Sequence, residues 1–299
     1  MLRVLILFLL TITPTAAGDA GTQRLLDKLY DPNGDVMVAA HRGFWREAPE
    51  NSTLAVEEAI RVGCEIIEID VRRTADGHWI VIHDKTLERT TNGSGRVDAH
   101  TLDQIRGLRL LNGYGLETDL RVPTLLEVAK LTRGRALLYV DKSDDHLREI
   151  ANLLDRENLL DHCLFYGRRP VSDLQATFGA DILERVHYLP KLGDRTPDAA
   201  NYIDAFLSLS KPPAAFVLDF QEDTPTTSLA LAAIPQIRQA RVRVWMSPLW
   251  SDLVAGRTDD RAVVAPDENW GWLLDHDATI LCTDRPRRMI RFLNGLNAD

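Results

Sequence analysis

Short apolar runs alternate with amphipathic stretches along most of this chain. The apolar runs are mostly continuous, which is typical of strands buried on both faces of a parallel sheet. We predict nine strands, at residues 36–40, 64–71, 79–84, 136–142, 163–167, 185–190, 214–220, 241–247 and 279–283. Stretches with helical periodicity separate many of them, as in TLLEVAKLTRG and DDHLREIANLLDRENL. About eight βα units of this length favour a closed α/β barrel.

One segment interrupts this alternation. Between residues 76 and 120 the chain has turn signals at Asp76-Gly77 and Asn92-Gly93, and a further glycine at position 95. Such dipeptides mark tight turns, so we predict a small insertion at one edge of the barrel. The NGSG tetrapeptide lacks a strand before it and a helix start after it, and it therefore predicts a turn and not a phosphate-binding loop.

The first residues have the layout of a secretory signal. Arg3 precedes an apolar run over residues 4–10, and the small residues Thr15-Ala16-Ala17 follow. The run is well short of the about 20 residues that a membrane span needs. This favours a cleaved signal peptide at 1–18 over a permanent anchor, with the barrel at 19–299. We expect an exported protein, periplasmic or secreted, without a stable membrane anchor after the signal is removed.

Composition and charge narrow the range of partners. With 45% hydrophobic and 26% charged residues the chain has the composition of a globular protein. Its formal net charge of −9 argues against nucleic acid, because nucleic-acid-binding proteins present a basic face. The sequence also lacks the Cys-x-x-Cys and His-x-x-x-His spacings of zinc sites. We therefore expect a small-molecule partner, and the oligomeric state stays open.

Two carboxylates lie on one face of the second predicted strand. Glu68 and Asp70 are two residues apart, so their side chains leave the same side of the strand. Burying two like charges is unfavourable unless something compensates them. Basic neighbours could pair with them, and Arg72 has the matching parity. Alternatively a divalent cation could lie between them, since oxygen ligands suit Mg²⁺ and Ca²⁺.

Other predicted strands also end on ionisable side chains. In a parallel barrel the strand C-termini converge on one rim, where active sites lie. A single histidine at a strand end is more often structural, but polar ends on several strands favour a catalytic site. The residues concerned are His41 and Arg42, His83 and Asp84, and Asp141 and Lys142, each pair at the end of a different predicted strand.

Several segments together resemble the glycerophosphodiester phosphodiesterase family. The similar segments, in order and spacing, are AAHRG, PENS, EIIEIDVRRTADGHWIVIHDKTLERTTNGSGRV, VPTLLEV and TILCTDRP. The resemblance covers about residues 36–290 and is weak over 145–235. It implies a TIM-type (β/α)8 barrel with a small inserted subdomain. The implied function is metal-dependent hydrolysis of glycerophosphodiesters to glycerol 3-phosphate and an alcohol.

The resemblance also implies roles for individual residues. These are the metal ligands Glu68 and Asp70 for Mg²⁺ or Ca²⁺, the general acid and base His41 and His83, and the phosphate-binding Arg42 and Lys142. The family's loop motif places Glu50 near the site, either on the metal or orienting a neighbour. The resemblance leaves open which histidine is the acid, and whether water or a substrate hydroxyl attacks.

One position departs from the family pattern. The family usually has an acidic residue two positions before the lysine, whereas here Val140 occupies that position and Asp141 adjoins Lys142. Adjacent residues of a regular strand point to opposite faces. We therefore predict Asp141 as a third metal ligand on the condition that the strand bulges or bends at its end.

Trp245 and two rival functions complete the sequence-based hypotheses. Trp245, on the eighth predicted strand, could form an aromatic wall against which a quaternary ammonium stacks. A core tryptophan in a barrel layer is the alternative.

A lysophospholipase D-like enzyme on the same barrel would need an apolar groove for an acyl chain. A barrel without catalysis would merely bind phosphorylated ligands.

Overall fold

A closed eight-stranded parallel barrel is the centre of this protein, whose computed structural model describes residues 17–296. Around the barrel the strand order is β1-β9-β8-β7-β6-β5-β4-β2, and β2 pairs back with β1. The predicted TIM-type α/β barrel is therefore confirmed. Within the described residues the strands are β1 (Met37–Ala40), β2 (Ile66–Arg73), β3 (Trp79–Val81), β4 (Leu137–Asp141), β5 (Cys163–Gly167), β6 (His187–Gly193), β7 (Ala215–Asp219), β8 (Arg243–Met246) and β9 (Ile280–Thr283).

Helices follow most of the strands and cover the outside of the barrel. Over residues 17–296 they are α1 (Ala17–Tyr30), α2 (Thr53–Val62), α3 (Leu102–Arg106), α4 (Leu125–Thr132), α5 (Leu147–Arg156), α6 (Val171–Phe178), α7 (Ile182–Arg185), α8 (Ala199–Leu207), α9 (Leu229–Ala232), α10 (Ile234–Gln239), α11 (Asp259–Ala262), α12 (Trp272–Asp275) and α13 (Pro286–Leu296). Ser52 starts α2 by accepting from the Ala55 amide at 3.0 Å. Among these helices none is both long and apolar enough to cross a bilayer.

Alternate residues of each barrel strand divide between two hydrophobic cores. Ile66 of β2 and Leu137 of β4 point inward, where Leu25 and Leu29 of α1 join them and close the amino end of the barrel. Ile67 belongs to the outer core between strands and helices, as the period of two requires. The inward row of β2 thus continues from an apolar residue to acidic ones.

The third predicted strand lies outside the barrel, within the segment 76–120 that we predicted to be an insertion. Here β3 pairs antiparallel with the end of β2, with Val81 opposite Val71 and Trp79 opposite Arg73. Residues 74–78 are too few for the crossover that a parallel partner needs, so a hairpin forms instead. After it the chain builds a separate small core from Ile80, Ile82, Leu87, Val97, Ile105, Leu110 and Val122.

The predicted signal peptide at 1–18 lies outside the described residues apart from its last two, which begin α1. Export and removal of the signal therefore stay predictions. The first element that the structure describes is the helix α1, which packs across the amino end of the barrel. The opposite, carboxyl end carries the ionisable residues.

Candidate active site at the carboxyl end of the barrel

Three carboxylates converge where β2 and β4 end. The register of these strands pairs Asp70 with Asp141 and Glu68 with Tyr139, so all four side chains lie on the inner face. Glu68, Asp70 and Asp141 each offer an oxygen atom within 4.8 Å of the other two. Burial, followed by repulsion from the two aspartates, raises the pKa of Glu68 well above its usual value.

Arg42 and Lys142 bring positive charge to this cluster. Lys142 Nζ lies 3.0 Å from Asp70 Oδ1, and Arg42 Nε lies 3.4 Å from Asp70 Oδ2. The Asn51 side-chain amide donates to Asp70 Oδ2 at 2.8 Å, and the Arg42 backbone amide donates to Glu68 at 2.7 Å. Burial opposes the ionisation of Asp70, but Lys142 and then Arg42 outweigh it and lower its pKa.

The carboxylate cluster has the donors that a hard divalent cation takes. Three carboxylates face the two cations of Arg42 and Lys142, which leaves an excess of negative charge if all ionise, and their oxygens converge closely. Glu50, the other predicted ligand, lies outside this cluster. Its two oxygens accept from Arg89 at 2.7 Å each, and Oε1 lies 3.3 Å from Arg42. This is the arrangement of a residue that orients a neighbour.

The end of β4 bends as the adjacent Asp141 and Lys142 require. The strand ends at Asp141, and Lys142 adopts a φ of 63°, in the left-handed region that residues other than glycine seldom occupy. The bend brings the Lys142 ammonium back to Asp70, while Asp141 stays in line with Tyr139. Arg42 and Asn51 share this feature, with φ values of 54° and 58°. Such strained positions cluster at functional sites.

His41 is held by a network from the end of β9. His41 Nδ1 lies 2.7 Å from Asp284 Oδ1, and Trp45 Nε1 donates to the same oxygen at 2.6 Å. The Asp284 backbone amide donates in turn to the buried Asp259 at 2.7 Å. Burial opposes ionisation of Asp284, but the bond to His41 outweighs it and lowers the pKa. Because the ionised carboxylate accepts the Nδ1 proton, Nε2 is left for acid–base chemistry.

The glycine of the His-Arg-Gly motif is required by the packing of the β1–α2 loop. Gly43 has a φ of +70°, and a Cβ built on it would lie 2.7 Å from the backbone carbonyl carbon of Ala55 in α2. Its amide also hydrogen-bonds to the Ala40 carbonyl oxygen at 3.3 Å. The turn that redirects the chain after His41 and Arg42 thus leaves no room for a side chain.

His83 comes from the inserted segment and not from a barrel strand. Its Nδ1 lies 2.5 Å from Asp84 Oδ1, and Arg89 Nε donates to Asp84 Oδ2 at 2.6 Å. Hydrogen bonding by Arg89, and to a lesser extent by His83, lowers the pKa of Asp84. Arg72, which the sequence offered as one alternative partner for the strand carboxylates, has a different hydrogen-bond partner in the structure. Its guanidinium donates to the His83 carbonyl oxygen at 3.0 and 2.9 Å.

One cavity of about 180 Å³ brings these groups together. The predicted site residues in its walls are His41, Arg42, Glu68, His83, Asp141, Lys142 and Trp245. Both imidazoles thus face the same space as the acids. Trp245 is only 1% exposed, and one face of its ring stacks on Tyr139 with 4.8 Å between centroids. That face is closed to a ligand.

Sequence reasoning missed several residues at this rim. Lys191, two residues before the end of β6, and Asp219, the last residue of β7, line the cavity, and Asp284 follows β9. The strand-end rule that selected His41 would have selected all three. Lys191 directly follows the predicted strand at 185–190, as His41 follows the predicted strand at 36–40, and the structure extends this strand to Gly193. Arg89, in the inserted segment, had no comparable signal.

Proteins of known family resemble this chain. A model described as the glycerophosphoryl diester phosphodiesterase family matches residues 41–152, and a model described as a domain of unknown function matches 188–293. A glycerophosphodiester phosphodiesterase of Bacillus subtilis is 32% identical over 62% of this chain and 67% of its own length. The chain belongs to the glycerophosphodiester phosphodiesterase family. The predicted family is therefore confirmed.

Other members of the family match over shorter stretches. The glycerophosphodiester phosphodiesterase of Caldanaerobacter subterraneus is 45% identical over 34% of this chain, and glycerophosphodiester phosphodiesterase 1 of Bos taurus is 33% identical over 49%. These matches span 42% and 52% of the relatives' own lengths. A solved glycerophosphoryl diester phosphodiesterase of Parabacteroides distasonis superposes with a TM-score of 0.72 over 92% of both chains, at 22% identity. At 22% sequence identity, this structural similarity supports the fold alone.

Proposed function

We propose that this protein hydrolyses glycerophosphodiesters to glycerol 3-phosphate and an alcohol. The observation that carries the proposal is one cavity whose walls include both histidines, the cations of Arg42 and Lys142, and two of the three converging carboxylates, Glu68 and Asp141. Membership of the family supports this substrate class. So does a structural neighbour, an Oleispira antarctica phosphodiesterase solved in complex with the product sn-glycerol-3-phosphate, with a TM-score of 0.62 and 17% identity over 86% of this chain and 96% of its own.

Arg42 and Lys142 would hold the phosphate. A phosphodiester carries one negative charge, and attack at phosphorus builds more charge on its equatorial oxygens. Fixed cations aimed at those oxygens stabilise the transition state more than the ground state. Glu50 and Asp70 keep the Arg42 guanidinium in place, and Asp70 keeps the Lys142 ammonium in place.

His41 and His83 would move the protons. One takes the proton of the attacking hydroxyl while the other protonates the leaving alcohol, and a histidine can do either near neutral pH. Since each Nδ1 is bonded to an aspartate with a lowered pKa, Nε2 is the working nitrogen of both rings. The nucleophile is water or a neighbouring substrate hydroxyl, and the latter would give a cyclic phosphate first.

Glu68, Asp70 and Asp141 would hold a divalent cation, Mg²⁺ or Ca²⁺. The spacing of their oxygens and their burial support this assignment. Once bound, the cation would supply positive charge beside the phosphate. It would also offset the burial, and the repulsion from Asp70 and Asp141, that raise the pKa of Glu68. We therefore expect the cation to stabilise the folded protein as well as to support activity.

A lysophospholipase D-like activity is the second candidate. An open groove of about 550 Å³ lies beside the site, and it is lined by Trp45, Leu54, Tyr114 and Leu120 among others. Trp45 hydrogen-bonds to Asp284, the partner of His41, so the groove starts next to the catalytic groups. The exposed Leu54 and Tyr114 offer an apolar surface for an acyl chain. The small cavity at the barrel end favours the shorter diester.

A panel of substrates and metals tests these alternatives. Chain lacking residues 1–18 is assayed on glycerophosphocholine and on lysophosphatidylcholine, with Mg²⁺, Ca²⁺ or EDTA. We expect release of glycerol 3-phosphate from glycerophosphocholine, loss of turnover in EDTA and recovery with an added cation. Faster turnover of the lysolipid would favour the second candidate. Absence of turnover under every condition would leave a barrel that only binds phosphorylated ligands.

We also propose that the protein is exported, on the basis of the signal-like layout of residues 1–18. Cells expressing the full chain would be fractionated, and the mass of the recovered protein determined. We expect a shortened chain outside the cytoplasm. A full-length chain that stays in the cytoplasm would contradict export.

A further inference from the structure

A second polar cluster lies on β6 and β7, across the barrel from β1, the strand that precedes His41. Lys191 Nζ is 2.9 Å from Asp219 Oδ2, and Arg168 donates to the same oxygen. The side chains of Lys191 and Asp219 are 16% and 13% exposed, and both line the cavity. Lys191 Nζ also lies 5.5 Å from the centroid of the Tyr166 ring.

Strand parity aims this cluster into the barrel. Lys191 follows the inward-facing Leu189 by two residues on β6, and Asp219 follows the inward-facing Val217 by two residues on β7. The register sets Lys191 opposite Val217, two residue pairs below Asp219. This is the same arrangement that turns Glu68 inward on β2. The two polar clusters therefore both face the interior of the barrel, on different strands.

The ion pair has no partner among the catalytic groups. Tyr166 stands between it and the carboxylate cluster, because the Tyr166 hydroxyl interacts with Asp141 while its ring lies beside Lys191. A largely buried ion pair is rarely the most stable way to fill a barrel end, where apolar residues of similar size do as well. Its retention at the edge of a catalytic cavity points to a ligand.

The charges and donors of the cluster define the ligand. Asp219 can accept a hydrogen bond from a hydroxyl, while Lys191 and Arg168 can donate to hydroxyl oxygens. Two neighbouring hydroxyls satisfy both kinds of group at once. A quaternary ammonium has no proton to donate and carries the same charge as Lys191. The Tyr166 ring lines the same cavity beside Lys191, where it can contact the carbon skeleton.

We propose that Lys191, Asp219, Arg168 and Tyr166 form a diol subsite, which binds a vicinal diol of the substrate. The proposal rests on the proposed function, since it places the rest of the same diester beside the phosphate. The diol can come from the glycerol moiety that every glycerophosphodiester carries. It can also come from a polyol such as inositol on the alcohol side.

Binding calorimetry tests the subsite without relying on turnover. The probes are inorganic phosphate, sn-glycerol 3-phosphate and inositol 1-phosphate, and the variants are Lys191→Met and Asp219→Asn. We expect each variant to bind the diol-bearing probes about 10- to 100-fold more weakly than the wild type does, which is the range for the loss of one hydrogen bond to a charged group. Inorganic phosphate should change by no more than about twofold. Lys130→Met, which breaks an exposed pair with Glu157, is the matched control and should change nothing.

Asp219→Asn separates hydrogen bonding from simple electrostatics. Loss of a negative charge near the phosphate would tighten the binding of every anionic probe. Replacement of a charged hydroxyl acceptor by a weaker, neutral amide oxygen would weaken the binding of the diol-bearing probes alone. The proposal is overturned if Asp219→Asn tightens all three probes, or if neither variant weakens a diol-bearing probe more than inorganic phosphate.

Turnover identifies the source of the diol. Glycerophosphocholine has a diol on its glycerol only, glycerophosphoinositol has diols at both ends, and bis(p-nitrophenyl) phosphate has none. A fall in kcat/KM for both glycerophosphodiesters in Lys191→Met assigns the glycerol moiety to the subsite. A fall for glycerophosphoinositol alone assigns the polyol. Absence of any wild-type turnover would defeat the proposed function and leave the calorimetric result standing.

Discussion

The two histidine–carboxylate pairs combine the same groups in different surroundings. His41 and Asp284 come from β1 and from the residue after β9, and their side chains are 9% and 11% exposed. His83 and Asp84 are neighbours in the inserted segment, with side chains 32% and 26% exposed. Buried groups of the barrel hold the first pair, and the half-exposed Arg89 holds the second. The barrel therefore restrains His41 more firmly than the insertion restrains His83.

This difference has an energetic consequence. A buried imidazole that loses its carboxylate keeps an unsatisfied N–H group, whereas water can replace the partner of a half-exposed one. Ion pairs at the surface contribute little, because solvent and salt screen them. We therefore expect the His41 side of the site to tolerate fewer changes than the His83 side.

The largest expected effect is the loss of either imidazole. His41→Ala and His83→Ala should each lower kcat by about 100- to 10,000-fold, the usual contribution of a general acid or base. The rate at which glycerol 3-phosphate is released at saturating substrate measures kcat. His78→Ala, at an exposed histidine of the β2–β3 turn, should leave kcat unchanged. Near-normal turnover in either of the first two variants would remove that histidine from the mechanism.

The buried support of the first pair predicts a pH dependence of stability. Burial raises the pKa of Asp259 from 3.8 to about 7. The unfolded chain loses this proton near its usual pKa, while the folded protein keeps it up to about pH 7. The free energy of unfolding should thus fall between about pH 4 and pH 7 by up to about 4 kcal/mol relative to Asp259→Asn. Urea unfolding at several pH values measures it, and parallel curves for the two proteins would contradict the expectation.

Replacing each aspartate by asparagine compares the two histidine–carboxylate pairs directly. Asp284→Asn should lower kcat by about 100-fold, and Asp84→Asn by about 10-fold. In both variants the amide no longer fixes the proton on Nδ1 of the histidine. The loss is smaller at Asp84, because water can take the place of the carboxylate in the more exposed pair. KM should change little in both, since neither carboxylate lies on the phosphate. Equal losses in the two variants would show that burial does not distinguish the pairs.

The smallest expected effect is at Arg89. Arg89→Ala releases both Asp84 and Glu50, and with a side chain 47% exposed the loss in kcat/KM should be only about 3- to 10-fold and smaller at high salt. Arg96→Ala breaks an exposed pair with Asp98 in the same insertion and is the matched control. A loss above about 100-fold would mean that the surface pair restrains His83 as firmly as the barrel restrains His41.

The inner face of the barrel could be predicted from local patterns. Strand β2 alone places Glu68 and Asp70 on one face, because strand side chains alternate with a period of two. The adjacent Asp141 and Lys142 appeared to break that rule. Only the backbone shows how both reach the site, through the left-handed φ of Lys142. A single bend of this kind leaves no periodic trace in the sequence.

The antiparallel pairing of β3 could not be predicted from the pattern of apolar residues. A continuous run of apolar residues fits a barrel strand and a hairpin strand equally well. The short turn at Asp76-Gly77 favours the hairpin, and it carries His83 to the rim from outside the barrel. The same limit explains why Arg89, whose role depends on how the insertion folds back, could not be predicted.

By itself the sequence determined which segments become strands and most of the ionisable residues at their ends, because burial and side-chain alternation act over a few residues. The tertiary structure alone decided which strand ends meet. Closing the barrel sets β9 beside β1, so Asp284 reaches His41 across 243 positions of sequence. It also sets β6 beside β7, which joins Lys191 to Asp219. No local pattern encodes such partners, because closure depends on how all eight strands pack together.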